Sequence, residues 1–113
     1  MKELNVVLVT TRHTHKIDDD FFKDIEEAVL YTSHNLALRH NCTVTTPLQR
    51  TECLPDRAVR LYLLTESEDI TIDNMGRHLR GISAYLLKKW PDKYNKYKRG
   101  TRLFYIMEGS TWK

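Results

Sequence analysis

The sequence predicts an α+β domain, a two-layer sandwich with the element order β-α-β-β-α-β. Two observations predict it. Four short runs are rich in β-branched and apolar residues, and two longer segments repeat apolar residues every three or four positions. At 113 residues, with 41% hydrophobic and 29% charged residues, the chain is long enough for one core. We therefore treat residues 1–113 as a single domain.

The first strand and the first helix are predicted from the N-terminal third. Residues 4–10 are apolar or β-branched on both alternating faces, which is typical of a central strand. The aspartates at 18–20 then offer a helix cap. The helix should run from about residue 19 to about residue 39, with a stripe at helical spacing: Phe22, Ile25, Val29, Thr32 and Leu36.

The second and third strands lie in the middle of the chain. Residues 42–46 alternate until Pro47, which is the composition of an edge strand. Residues 58–65 alternate over a longer run and predict the third strand. Arg60 and Tyr62 share one face of that strand. The sequence leaves open which face this is, because a shift of one residue in register reverses it.

The second helix and the last strand complete the pattern. A helical stripe ends before Pro91, and residues 102–108 after the turn at Gly100 predict the final strand. Gly76 and Gly81 are weak helix formers, so either packing compensates for them or the backbone approaches a neighbour closely there. The stripe comprises Ile72, Met75, Leu79, Ile82, Leu86 and Trp90.

This element order resembles the ferredoxin-like fold, a four-stranded antiparallel sheet with two helices on one face. That fold hosts many unrelated functions. With both helices on one side, we expect either Val6 and Leu8 or Val7 and Val9 to be uncovered on the other. A second subunit, a C-terminal tail, another protein or nucleic-acid bases would then cover them, and we expect a homo-oligomer, with a homodimer as the simplest case.

Composition excludes several classes of protein. The longest wholly apolar run is four residues, and the N-terminus lacks the apolar segment of a signal peptide, so we expect a cytoplasmic protein without a membrane partner. The sequence contains no nucleotide-cradle or serine-hydrolase motif, and we expect no cofactor and no resident metal. Cys42 and Cys53 fit free thiols; a disulfide or a thiol-assisted metal site is the alternative.

Charge is distributed unevenly along a chain whose net charge is only +3. Residues 18–27 hold six acids against Lys23, whereas residues 88–102 hold seven basic residues against Asp92. This polarity indicates a charged partner at one or both segments, or two subunits that meet acid to base.

A pair of histidines, His13 and His15, follows the first strand and precedes a helical tyrosine, Tyr85, with Lys88 one turn further on. This arrangement resembles the HUH endonucleases. The resemblance implies that the two histidines hold a divalent metal and that Tyr85 attacks a phosphodiester. Thr14 stands between the histidines, where the family usually has a bulky apolar residue. The alternative is a pair of surface histidines in a strand-to-helix turn.

The segment 88–105 interleaves basic and aromatic residues, a combination suited to phosphate neutralisation and base stacking. It predicts a non-enzymatic regulatory protein that binds nucleic acid, either DNA or RNA. Arg60 and Tyr62 would add a stacking platform if their face were the open one. The alternatives are a protein-binding module that inhibits or adapts a larger machine, and then the metal-dependent nickase. The predicted nucleic-acid-binding residues are Lys88, Lys89, Lys93, Tyr94, Lys96, Tyr97, Lys98, Arg99 and Arg102, with Trp90 as a further stacking candidate.

Overall fold

The structure is a computed structural model that describes residues 2–10, 16–50, 56–71, 75–94, 104–106 and 111–112. These residues form three helices and an antiparallel sheet, so the predicted α+β class is confirmed. The elements are β1 (Lys2–Thr10), α1 (Asp19–His40), β2 (Val44–Thr45), β3 (Leu48–Arg50), β4 (Ala58–Thr65), α2 (Met75–Lys89), α3 (Pro91–Tyr94), β5 (Phe104–Ile106) and β6 (Thr111–Trp112). Neither long helix in these ranges has a stretch apolar enough to cross a bilayer.

The sheet is built around the β1–β4 pair, which runs antiparallel from Lys2 opposite Thr65 to Val9 opposite Ala58. β2 and β3 pair with the other edge of β4, and β5 and β6 pair with the other edge of β1. The described part of the chain contributes six strands to this sheet, so the predicted count of four is wrong. β2 lies within the predicted second strand, residues 42–46, whereas β3 lies beyond Pro47, where a loop was predicted, and β6 follows the predicted last strand.

Helix α1 begins and ends where its local sequence dictates. The Asp18 carboxylate accepts a hydrogen bond from the Phe21 N–H at 2.8 Å, as an N-cap does. At the other end Asn41 adopts a left-handed conformation with φ of 49°, and the Cys42 N–H reaches the Ala37 carbonyl at 3.1 Å. The predicted span of 19–39 is therefore confirmed to within one residue.

One hydrophobic core lies between the sheet and the helices. Leu4 and Leu8 of β1 and Leu61 and Leu63 of β4 supply its sheet side. Each such side chain contributes about 1.5–3 kcal/mol on burial. Phe21, and not the predicted Phe22, faces this core; Phe22 is half-buried beneath the Arg50 guanidinium, 4.8 Å from its ring centre. The helices add Phe21, Ile25, Ala28, Val29, Leu36, Ile82, Leu86 and Tyr94.

Gly81 marks a close approach of α2 to α1. A Cβ at this position would lie 3.3 Å from the Thr32 Cγ2 atom, which is tighter than ordinary van der Waals contact. The sequence left two explanations open for this glycine, and close approach of the neighbouring helix is the one that the structure supports.

The face of the sheet opposite the helices carries Val7, Val9 and Ala58, which form a second, smaller cluster. Val7 is only 6% exposed and Val9 is fully buried within the single chain. This pair of β1 residues is therefore covered within the single chain. The burial of Val7 and Val9 leaves no reason, at this pair, to expect the sheets of two copies to pack against each other.

Candidate functional site

The predicted basic, aromatic site begins at the junction of α2 and α3. Lys88 and Lys89 end α2, Trp90 lies between the helices, and Lys93 and Tyr94 belong to α3. Pro91 opens α3 at the position where a missing N–H costs nothing. The remaining predicted residues, Lys96, Tyr97, Lys98, Arg99 and Arg102, lie outside the described residues.

Lys93 and Tyr94 bind the acidic helix α1. The Lys93 ammonium contacts the carboxylates of Asp20 and, at 2.7 Å, Asp24. The hydrogen bond to Asp20, and then that to Asp24, raise the pKa of Lys93. The Tyr94 hydroxyl donates to the same Asp24 carboxylate. Burial first, and this hydrogen bond second, raise the pKa of the Tyr94 phenol well above its usual value.

A second polar cluster joins α2 to α1 about one turn away. The Glu27 carboxylate accepts hydrogen bonds from Lys89 and, at 2.7 Å, from the Tyr85 hydroxyl. The bond from Lys89, followed by that from Tyr85, lowers the pKa of Glu27. The same bonds raise the pKa of both donors, chiefly through Glu27. The Tyr85 hydroxyl therefore directs its proton at the Glu27 carboxylate of α1.

Helix α1 and the start of the basic segment, residues 88–102, therefore form ion pairs within a single chain. The sequence analysis expected these two charged segments to bind a charged partner or a second subunit, and it did not foresee pairs between them within one chain. Lys89 and Lys93 are committed to carboxylates of α1, whereas Lys88 is exposed and takes part in none of these bonds. Such partly exposed pairs add little stability, because solvent screens them. Their larger effect is to neutralise two of the predicted phosphate contacts.

The aromatic side chains of this region pack against one another. The Trp90 ring lies edge-on to Tyr85 at 6.3 Å and to Tyr94 at 6.2 Å, measured between ring centres. Tyr94 also contacts Phe21 at 5.0 Å, and only 2% of its surface is exposed. In this conformation Tyr94 has no free face for a base. Trp90 is half-buried, and the ammonium of Lys89 lies 5.0 Å from its ring centre.

The helix-free face of the sheet holds a second group of candidate residues. Arg60 lies opposite Val7 and Tyr62 opposite Asn5, which places both side chains on this face. Both are half-exposed. The Arg60 guanidinium donates to the Asn5 side-chain oxygen at 2.8 Å, and Gln49 of β3 lies opposite Arg60. Sequence reasoning missed Asn5; its only signal was a polar residue inside an apolar strand.

The residues of the nickase resemblance are only partly described. His13 and His15 lie outside the described residues, as does Cys53. Over the ranges that the structure describes, no three acidic, histidine or cysteine side chains converge on a common point that could hold a metal ion. Cys42 is a free thiol 3.6 Å from the Thr65 hydroxyl.

Comparison with known proteins adds no family to this description. No family model, no curated protein and no solved structure matches the chain. Its function is therefore inferred from its own residues and their geometry.

Proposed function

We propose that this chain is a non-enzymatic, cytoplasmic regulatory protein that binds single-stranded nucleic acid through the helix-free face of its sheet. The observation that carries the proposal is that Arg60 and Tyr62, both on β4, lie half-exposed on that same face. Flat aromatic and guanidinium groups stack on unpaired bases, and single strands present such bases where a duplex does not.

Local contacts support the use of this face. The bond from Arg60 to Asn5 holds the guanidinium over the sheet, so less freedom is lost when it meets a base or phosphate. Gln49 is exposed beside it and offers an amide to base edges. Val7, Val9 and Ala58 are already buried, so the face presents polar and aromatic groups in place of a bare apolar surface.

The basic segment would supply the phosphate contacts. Tyr94 and Phe104, the described residues on either side of 95–103, are both buried in the core. Lys96, Lys98, Arg99 and Arg102 are the phosphate contacts we propose. Lys89 and Lys93 are the weaker candidates within the predicted site because α1 already neutralises them.

We also propose that the sheet is a ferredoxin-like core. β2 and β3 would be two halves of one edge strand, and β5 with β6 would form the opposite edge. The order in which β4 lies between β2 and β1, with β5 beyond β1, supports this proposal.

The test is fluorescence anisotropy with labelled single-stranded DNA, duplex DNA and single-stranded RNA at about 50 and 200 mM salt, the range in which phosphate contacts are revealed. We expect binding to single strands that weakens with salt, and a loss of about tenfold or more in Tyr62→Ala, since one stacked base is worth about 1–3 kcal/mol. His34→Ala, an exposed ring-bearing residue on α1 outside both proposed sites, is the control and should bind normally. Absence of binding to all probes at low salt would overturn the proposal.

A second candidate is self-association through α1, which would give the predicted homo-oligomer a helical interface in place of the sheet. Leu30 and Leu38 are 67% and 68% exposed and lie two turns apart on one side of the helix. They are symmetric about His34, so two antiparallel copies of α1 would place Leu30 against the partner's Leu38. This spacing is self-complementary, as a two-fold interface requires.

Sedimentation velocity over a range of concentrations tests the second candidate. The double variant Leu30→Lys, Leu38→Lys should be monomeric at concentrations where the unmodified chain is a dimer. Asn35→Lys, an exposed control on the same helix, should stay dimeric. A chain that is monomeric throughout would rule out this candidate and leave the nucleic-acid proposal unaffected.

A further inference from the structure

A groove of about 470 Å³ runs between α1 and α2 on the helical side of the molecule. It is separate from the helix-free face, which lies on the other side of the sheet. Its lining consists of Tyr31, Gly81, Ala84, Tyr85, Lys88 and Lys89.

Two small residues of α2 form the floor of the groove. Gly81 and Ala84 lie three residues apart and so on one side of the helix. Because Thr32 packs against the inner side of Gly81, the two helices are close at this level. Ala84 is exposed. A flat ligand can therefore approach the α2 backbone without displacing a large side chain.

Two tyrosines form an aromatic wall beside this floor. The ring centres of Tyr31 and Tyr85 lie 4.8 Å apart with an angle of 36° between the ring planes. Tyr31 is 53% exposed, although a residue of its size usually buries more of its ring. Tyr85 is fixed by its hydrogen bond to Glu27, so the wall is preorganised.

The charges at the rim differ in their availability. Lys89 is bound to Glu27, and these two charges largely cancel. Lys88 is exposed and forms no hydrogen bond or ion pair with the residues that the structure describes. The groove thus combines an aromatic wall, an open floor and one available ammonium group.

We propose that this groove binds a flat aromatic group that carries a phosphate, which is the chemistry of a nucleotide. The base would lie over Gly81 and Ala84 against Tyr31, and the phosphate would contact Lys88. The nucleotide is either free or the terminal residue of a strand. The proposal does not depend on the helix-free face, so either one can fail without the other.

The test is an amide NMR titration of the full chain with deoxyadenosine monophosphate, with adenosine and inorganic phosphate as separate probes. We expect shifts centred on Gly81 and Ala84, and weaker binding of either separate probe than of the nucleotide. Ala84→Leu should abolish binding by filling the floor, and leucine is a good helix former, so folding is preserved. Lys88→Gln should weaken binding about tenfold, as expected for one charged contact. Lys23→Gln, an exposed lysine of α1, is the matched control and should have no effect.

Two further arms complete the design. Tyr62→Ala should leave nucleotide binding unchanged, which separates this groove from the helix-free face. A 5′-phosphorylated oligonucleotide that binds the groove more tightly than the mononucleotide would identify the strand end as the ligand, and equal or weaker binding would identify the free nucleotide. The proposal is overturned if the nucleotide does not bind, or if Ala84→Leu and Lys88→Gln both bind it normally.

Discussion

Replacement of Asp24 by alanine tests whether the contact between α1 and α3 stabilises the folded chain. The Asp24 side chain is 12% exposed and accepts hydrogen bonds from both Lys93 and Tyr94. A hydrogen bond to a charged group is worth about 1.5–3 kcal/mol. The Lys93 side chain is more than a third exposed, so we assign its ion pair at most about 0.5 kcal/mol. Alanine recovers about 0.5 kcal/mol of helix propensity. The net expected loss in the free energy of unfolding is about 2 kcal/mol.

The assay is urea denaturation of a double-mutant cycle. Asp24→Ala should lower the midpoint by about 1 M, given the usual dependence of stability on urea for a chain of this size. Tyr94→Phe removes the same hydrogen bond from its other end. The double variant should therefore lose less stability than the sum of the two single losses, by about 1–2 kcal/mol.

Glu26→Ala, an exposed acid on the same helix, is the matched control and should change stability by less than about 0.5 kcal/mol. Additive losses for Asp24 and Tyr94, within about 0.5 kcal/mol, would refute the coupling and with it the inference that α1 holds α3 in place.

Two more predictions concern the same helices. The pKa of Tyr94 and that of Lys93 are both raised in the folded chain, from ordinary values of 10.0 and 10.5. Their contributions are therefore complete below about pH 10 and are lost as the pH rises through the folded values, so stability should fall above about pH 10. Melting curves between pH 7 and 11 should show a shallower decline in Tyr94→Phe, and an equal decline would count against the assignment. At the end of α1, Asn41→Ala should cost about 1 kcal/mol because alanine disfavours the left-handed conformation, whereas Asn41→Gly should not; thermal unfolding that ranks the two variants equally would contradict this cap.

The features that sequence predicted well depend on neighbours in the chain. Helix α1 needs only its cap at Asp18, its stop at Asn41 and its apolar spacing, all of which are local. The choice of Phe21 over Phe22 for the core was missed because both fit a broad helical stripe. Pro47 was predicted to end the edge strand, but the chain pairs with β4 again from the next residue, Leu48.

The features that sequence could not predict depend on pairing between distant residues. Lys93 and Asp24 are 69 residues apart, and each charge alone was compatible with solvent, a partner or the other segment. The face that Arg60 and Tyr62 occupy follows from the β1–β4 register, in which Asn5 lies opposite Tyr62. A tertiary contact of this kind decides whether a charged residue is available to a partner, and the neighbouring residues in the sequence do not reveal it.

The internal ion pairs also limit the salt dependence of nucleic-acid binding, which gives the proposed function a quantitative test. For single strands, the logarithm of the binding constant falls with that of salt by about 0.7 for each neutralised phosphate. Lys88, Arg60 and the four basic residues within 95–103 provide up to six contacts, which gives a slope of about −4. If Lys89 and Lys93 left Asp20, Asp24 and Glu27 to bind phosphates, the slope would approach about −6. Titrations at four or more salt concentrations separate these values. A slope near −6 that falls to about −4 in Lys89→Gln, Lys93→Gln would mean that the strand competes with helix α1 for its lysines, and that binding opens the contact between α1 and α3.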